Sequence, residues 1–165
     1  MVDAPTDAIA LLKADHREAE DLFEQFEAAK SDDKKQAIAT KVCNALKVHT
    51  IIEEEIFYPA LRGKIEDDML DEAYVEHDGA KVLINDILAA PGAEFYDAKV
   101  TVLSEEISHH VHEEEANSEG MFAQARKTDV DLVELGRLMQ ARKDELMPMA
   151  EANTLPPAKT TAVNA

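Results

Sequence analysis

Four stretches of this 165-residue chain carry apolar residues at alternating steps of three and four, and that spacing leaves little besides a packed bundle of helices. The first stripe runs Ile9, Leu12, His16, Ala19, Phe23, Phe26, and the second Ile38, Val42, Ala45, His49, Ile52 or Glu53, Ile56. The third runs Leu70, Ala73 or Tyr74, His77, Ala80 or Lys81, Ile84, and the fourth Val100, Leu103, Ile107, His110, Glu114. No useful length of chain alternates apolar and polar residues as a half-buried strand would. Pro5-Thr6-Asp7 and Ser31-Asp32-Asp33 offer caps, Pro59 to Gly63 stops the second block, and Pro91-Gly92 ends the third. The expected fold is therefore all-α: an up-down-up-down four-helix bundle with core helices at about 7–29, 32–60, 66–90 and 94–127. A shorter amphipathic block at about 130–147 adds a C-terminal helix to a domain spanning 1–150, as an end cap, a dimer contact or simple packing. Pro156-Pro157 among small residues marks 151–165 as a disordered tail.

Each of the four stripes passes through a histidine. With a rise of about 1.5 Å per residue, His16 lies roughly 14 Å above the start of its helix, and His49, His77 and His110 reach a similar depth in alternating helices. One histidine falls on an apolar stripe by chance about one time in three, and alone it reads as a satisfied core residue. Four at one depth, with Glu53 and Glu114 each one turn past a histidine, do not read that way, because glutamate is almost never buried unless paired or bound to a cation. Lys81 is the only basic residue near enough on those stripes to serve as a partner. Imidazole with carboxylate suits iron, manganese or zinc. Structural zinc usually adds thiolate, and Cys43 stands alone as a small packing residue. Six convergent ligands, His16, His49, Glu53, His77, His110 and Glu114, suit a dinuclear centre in which each Glu bridges both ions.

Charge and punctuation narrow the function classes. Asp plus Glu number 35 against 17 Lys plus Arg, a formal charge of −18, which repels phosphate backbones and anionic lipid. No nucleic-acid or membrane partner is expected. Met1 to Thr6 show neither a basic nor an apolar export region, and a single cysteine fits a reducing compartment, so the expected location is cytoplasmic. No glycine-rich phosphate loop or nucleophile-base pair is present. A ferritin-like di-iron bundle would need Glu-x-x-His twice, and only Glu106-x-x-His109 fits.

Ala14-Asp15-His16-Arg17, His49-x-x-x-Glu53 within His49 to Pro59, Glu76-His77 and His110-x-x-x-Glu114 together resemble the hemerythrin-like HHE cation-binding domain over roughly residues 7 to 127. The resemblance implies two iron ions with an oxo or hydroxo bridge, and a function in binding, sensing, storing or detoxifying O2, iron or related small ligands. Two classes stay open: a binding protein for O2 or another small diatomic ligand, and a redox enzyme acting on peroxide, nitric oxide or O2 with an outside electron donor. A monomer or homodimer serves either. The oxygen-carrying hemerythrins place two histidines four residues apart on the third helix, whereas Ala73 and Lys81 flank His77 here. The site is then more open by about one coordination position, which favours exchange and redox reaction over clean carriage. Tyr74 is a candidate substitute, more in keeping with packing or an outer contact. Glu54, Glu113, Glu115, His109 and His112 are expected to be solvated or to lie outside the metal shell. The segment 116–120 is longer than the family spacing and is expected to bend the fourth helix or add a turn.

Overall fold

The computed structural model describes residues 6–164; Met1 to Pro5, which open the expected domain and its first cap, and Ala165, which ends the expected tail, lie outside the described residues. α1 (Ala8–Ala28) begins where the Asp7 carboxylate accepts the Ala10 N–H at 2.9 Å. α2 (Asp32–Ile52) begins at Ser31, whose hydroxyl accepts from Lys34, with two acids in the first turn where the helix dipole favours them. It continues through a π-helical turn, Glu53–Phe57, into α3 (Tyr58–Leu61). α4 (Asp67–Ala89) and α5 (Tyr96–Glu115) follow. The chain then turns at 116–120, where a break was expected, and resumes as α6 (Met121–Arg126) and α7 (Leu132–Glu151).

The α1, α2, α4 and α5 helices form the expected bundle, each packed on the next with α5 returning to α1, and α7 lies across α1 and α2. Among the described residues the bundle core is two large apolar clusters, with a third, smaller one of Val48, Leu146, Ala150 and Leu155 beside it. Phe23, Phe26, Val42, Leu46, Ile84, Val100 and Leu103 fill one end, and Ile9, Leu12, Ile52, Phe57, Leu70, Met121 and Met139 fill the other. His16, His49 and His77 fall between the residues of the two clusters along their helices, and His110 lies at the end of the first cluster's run on α5, so a polar layer divides the core. Cys43 packs in the first cluster, where burial pushes its thiol up to about 12, in keeping with a packing role. Among the described residues, no helix is long and apolar enough to cross a membrane.

Gly136 fixes how closely α7 approaches α1. A Cβ there would stand 2.7 Å from the Ala8 backbone nitrogen and 2.8 Å from the Asp7 carbonyl carbon. Alanine gains about 1 kcal/mol of helix propensity over glycine, but this overlap is with backbone, and overpacking costs typically 1–3 kcal/mol. Gly136→Ala is expected to lower the thermal midpoint; a midpoint at or above wild type would show that α7 shifts without cost.

The segment after α7 corrects one expectation. Pro156-Pro157 and small residues read as a disordered tail, yet residues 155–163 are strapped along the bundle. Leu155 is buried. Asn85 exchanges two hydrogen bonds of 2.8 Å with the Ala158 backbone. The buried Asp78 carboxylate accepts the N–H groups of Thr161, Ala162 and Val163 at 2.8, 2.7 and 2.7 Å. Side chains more than seventy positions away supply the hydrogen bonds that the tail's own composition does not.

Candidate metal centre

All six residues singled out from the stripes are buried and converge on the layer between the two clusters. Glu53 is fully buried and its carboxylate abuts His49 Nε2. Glu114 Oε1 lies 3.3 Å from His16 Nε2 and 3.2 Å from His110 Nε2. The His16 and His49 rings are 5.0 Å apart and the His77 and His110 rings 4.7 Å. Donor atoms of His16, His49, Glu53 and Glu114 lie within 4.8 Å of one another, as do those of Glu53, His77 and His110. The two sets share Glu53, which is the arrangement a bridged pair of ions requires.

Each ring is fixed from behind by a carboxylate. His16 Nδ1 meets Glu115 at 2.6 Å, His49 Nδ1 meets Asp15 at 3.0 Å, His77 Nδ1 meets Glu54 at 2.9 Å and His110 Nδ1 meets Glu76 at 3.0 Å. Three of these carboxylates are in turn held by a cation, Arg17 on Glu115, Lys143 on Asp15 and Lys81 on Glu54. With the Nδ1 hydrogens committed outward, the tautomer this pattern selects leaves every Nε2 lone pair facing inward. Glu54 and Glu115 thus take the outer role expected of them, whereas Asp15 and Glu76 had not been given one. His109 and His112 are exposed. Lys81, which stands where a further histidine would be, turns to Glu54, Asp78 and Thr161.

The tyrosine inside the site is Tyr58. Its hydroxyl lies 3.2 Å from His77 Nε2 and 3.3 Å from His110 Nε2, and donates to Glu114 Oε2 at 3.1 Å. The π turn puts it there: the Tyr58 N–H bonds to the Glu53 carbonyl five residues back, bringing both side chains to one face. Pro59 has no N–H to give the Glu55 carbonyl, so a regular α ladder is already broken at this point. Tyr74 instead packs edge-on against the Tyr58 ring at 5.3 Å, outside the ring of donors.

The layer has an excess of electron pairs. His16 Nε2, His49 Nε2, both Glu53 oxygens and Glu114 Oε1 are buried without a hydrogen-bond partner. Orphaned acceptors of this kind cost free energy unless a cation completes them. The same need for positive charge governs the titration of the groups, which favours protons on the inward nitrogens in competition with a cation. Burial opposes charge on His49, but the Glu53 carboxylate and the Asp15 hydrogen bond push its imidazole up to about 10. His110 is driven well above its ordinary value against the same burial, chiefly by Glu114. Glu114 is itself held well below the carboxylate range, since His110 and His16 together outweigh burial. Four imidazole nitrogens and two carboxylates, sharing too few protons in a dry layer, fit a pair of transition-metal ions.

The model of the hemerythrin HHE cation binding domain family matches residues 7–124, which takes in every one of these donors. A DNA nickase of Nostoc sp. (strain PCC 7120) is 27% identical over 117 residues, which make up 70% of this chain and 32% of that protein, so the match spans less than half of the relative's length. Among solved structures, a hemerythrin HHE cation binding domain-containing protein from Mycobacterium kansasii superposes with a TM-score of 0.71 over 94% of this chain and 96% of its own, at 21% identity, a likeness of fold.

Proposed function

The chain belongs to the hemerythrin HHE cation-binding domain family, and from that membership and its buried donor set we propose a non-haem di-iron protein that binds O2 or a related small ligand. The observation that carries the reading is the cluster of orphaned acceptors on His16, His49, Glu53 and Glu114. His16, His49 and Glu114 would hold one ion, His77 and His110 the other, with Glu53 shared and Glu114 within reach of both. Iron in such a site would supply redox chemistry and open positions for exogenous ligands. An oxo or hydroxo bridge fits between two ions sharing carboxylates.

A cavity of about 40 Å³ lies against the histidine rings; its wall is mainly apolar, with Ala19, Ala45, Leu46, Ile107 and Val111 among its residues, and Asp15, Glu18, Thr50 and Lys143 also line it. A water needs at least about 10–15 Å³ of such space, so a diatomic molecule or peroxide fits and a larger substrate does not. The apolar wall suits O2 or nitric oxide. The second reading, a redox enzyme acting on peroxide, nitric oxide or O2 with an outside electron donor, is favoured by Tyr58. Its phenol keeps a hydroxyl proton on Glu114 inside the donor ring, and burial with the nearby Glu114 and Glu53 charges holds that proton firmly. DNA nicking is not carried over from the Nostoc relative, because a formal charge of −18 offers phosphate backbones no electrostatic welcome. A cytoplasmic monomer or homodimer, without nucleic-acid or membrane partners, completes the proposal.

The test is metal analysis with the near-ultraviolet and visible spectrum of protein purified in air, reduced anaerobically and re-exposed to O2. About two iron atoms per chain are expected, with a bridge absorption that bleaches on reduction and returns with O2. Zinc, a single ion, or no metal after iron reconstitution would overturn the reading. A short-lived oxygenated species, or rapid peroxide turnover, would select the enzyme over the binder.

A further inference from the structure

Lys47 is an anomaly among the buried charges. It is 4% exposed, yet among the described residues its ammonium donates only to the Leu155 carbonyl, at 3.2 Å. In a chain with 35 acids, no described carboxylate comes within 4.0 Å of it. The other buried lysine, Lys81, holds both Glu54 and Asp78. Buried cations are normally paired, because an uncompensated one costs several kcal/mol. An ammonium with two donors to spare calls for an anion that is not part of the chain.

Lys47 also lines a groove of about 1040 Å³ between α2, α4, α7 and the strap. Its apolar surface is mainly aliphatic, from Ile51, Leu146, Met149 and Leu155, and Tyr74 also lines it. Five basic side chains against three acids line it, the reverse of the balance over the whole chain. From Lys47 to Arg62, both on its lining, the helical rise gives a length of about 22 Å. The groove is therefore long, aliphatic and cationic at the Lys47 end.

We propose that this groove binds a long-chain fatty acid, its carboxylate paired with Lys47 and its acyl chain laid along Ile51, Leu146, Met149 and Leu155. Charge complementarity at Lys47 selects the acid over a neutral lipid, and the aliphatic lining selects an acyl chain over a flat aromatic body. The site stands apart from the metal reading and needs no metal for its test.

Isothermal titration with sodium dodecanoate is expected to show one saturable site. Methyl dodecanoate, with the same chain and no charge, should bind at least tenfold more weakly, and Lys47→Met should weaken dodecanoate to a similar degree while Lys47→Arg retains it. Leu146→Asp, which sets a like charge on the floor, should abolish binding. Lys47→Met removes an uncompensated charge, so without ligand it should unfold at no lower a temperature than wild type, and dodecanoate should raise the midpoint of wild type and Lys47→Arg but not of Lys47→Met. Were Lys47→Met to fail to fold, the acid-against-ester comparison on wild type decides. Equal affinity for acid and ester, or an unchanged affinity in a folded Lys47→Met, would overturn the proposal. So would association with phosphatidylglycerol vesicles in the absence of dodecanoate binding, which would assign this face to a membrane.

Discussion

Glu53→Ala is expected to empty both halves of the metal centre while leaving the bundle helical. Glu53 is the one residue common to both sets of converging donors, and it is fully buried with neither carboxylate oxygen hydrogen-bonded. Loss of His49 strips one set of a ligand and leaves the other intact, so His49→Ala should cost one ion more than the other. Loss of Glu53 takes a ligand from each and removes the charge that offsets two cations in a dry layer. Metal per chain should fall from about two to well below one, with the far-ultraviolet spectrum unchanged. The fold should persist because the two apolar clusters lie to either side of the layer and neither includes Glu53. Glu53→Gln separates shape from charge: it keeps the volume, surrenders the anion and should lose metal nearly as completely. His112→Ala, on an exposed face, is the control and should leave stoichiometry alone. Full loading of Glu53→Ala would remove Glu53 from the centre, and lost iron in His112→Ala would show that α5 presents a different face.

The six donors were legible because they obey the period that makes the helices. A histidine at a stripe position points inward for the same reason as the leucine a turn away, and the chain's own apolar residues calibrate the direction. Tyr58 breaks that rule. It follows Glu53 by five residues, and at 3.6 residues per turn that places it about 140° away. Only the π turn swings it back beside Glu53, and the one local sign is Pro59, which disables the α ladder without stating what replaces it. Asp15 and Glu76 were hidden differently. Each adjoins a stripe histidine in sequence, but serves the histidine of another helix, Asp15 for His49 and Glu76 for His110. A side chain one position off the stripe points along the seam between helices, and which neighbour it meets is set by packing angles that no single stripe encodes. The strap was illegible for a related reason, since its anchors sit on α4, far from it in sequence.

Asp78→Ala is expected to release that strap and to be among the most damaging single changes outside the metal layer. Asp78 is fully buried and accepts three consecutive backbone N–H groups, from Thr161, Ala162 and Val163, besides the Lys81 ammonium at 3.3 Å. Leaving one buried donor unsatisfied costs about 1–3 kcal/mol, so three at once could not be borne in place. The segment has an escape that a core helix lacks: it can peel into water and hydrate its amides. The penalty is then capped at what attachment contributes, about 2–4 kcal/mol, and falls on the strap before the bundle. Amide exchange at Thr161, Ala162 and Val163 should accelerate by at least about thirtyfold, with α1, α2, α4 and α5 barely changed, and a protease should clip between 155 and 163 to leave a folded core. The change should also reach two neighbours. The Thr161 hydroxyl, which donates to Glu54 at 2.5 Å, would leave, loosening the carboxylate that orients His77. The groove beside Lys47 would lose the wall that Leu155 provides, so dodecanoate binding should fail with it. Asp78→Asn keeps one acceptor oxygen and turns an amide donor towards the N–H groups, and should fall between the two. Unchanged exchange at 161–163 in Asp78→Ala would mean that the strap is held by Asn85 and Leu155 alone, and that the buried carboxylate answers to Lys81 instead.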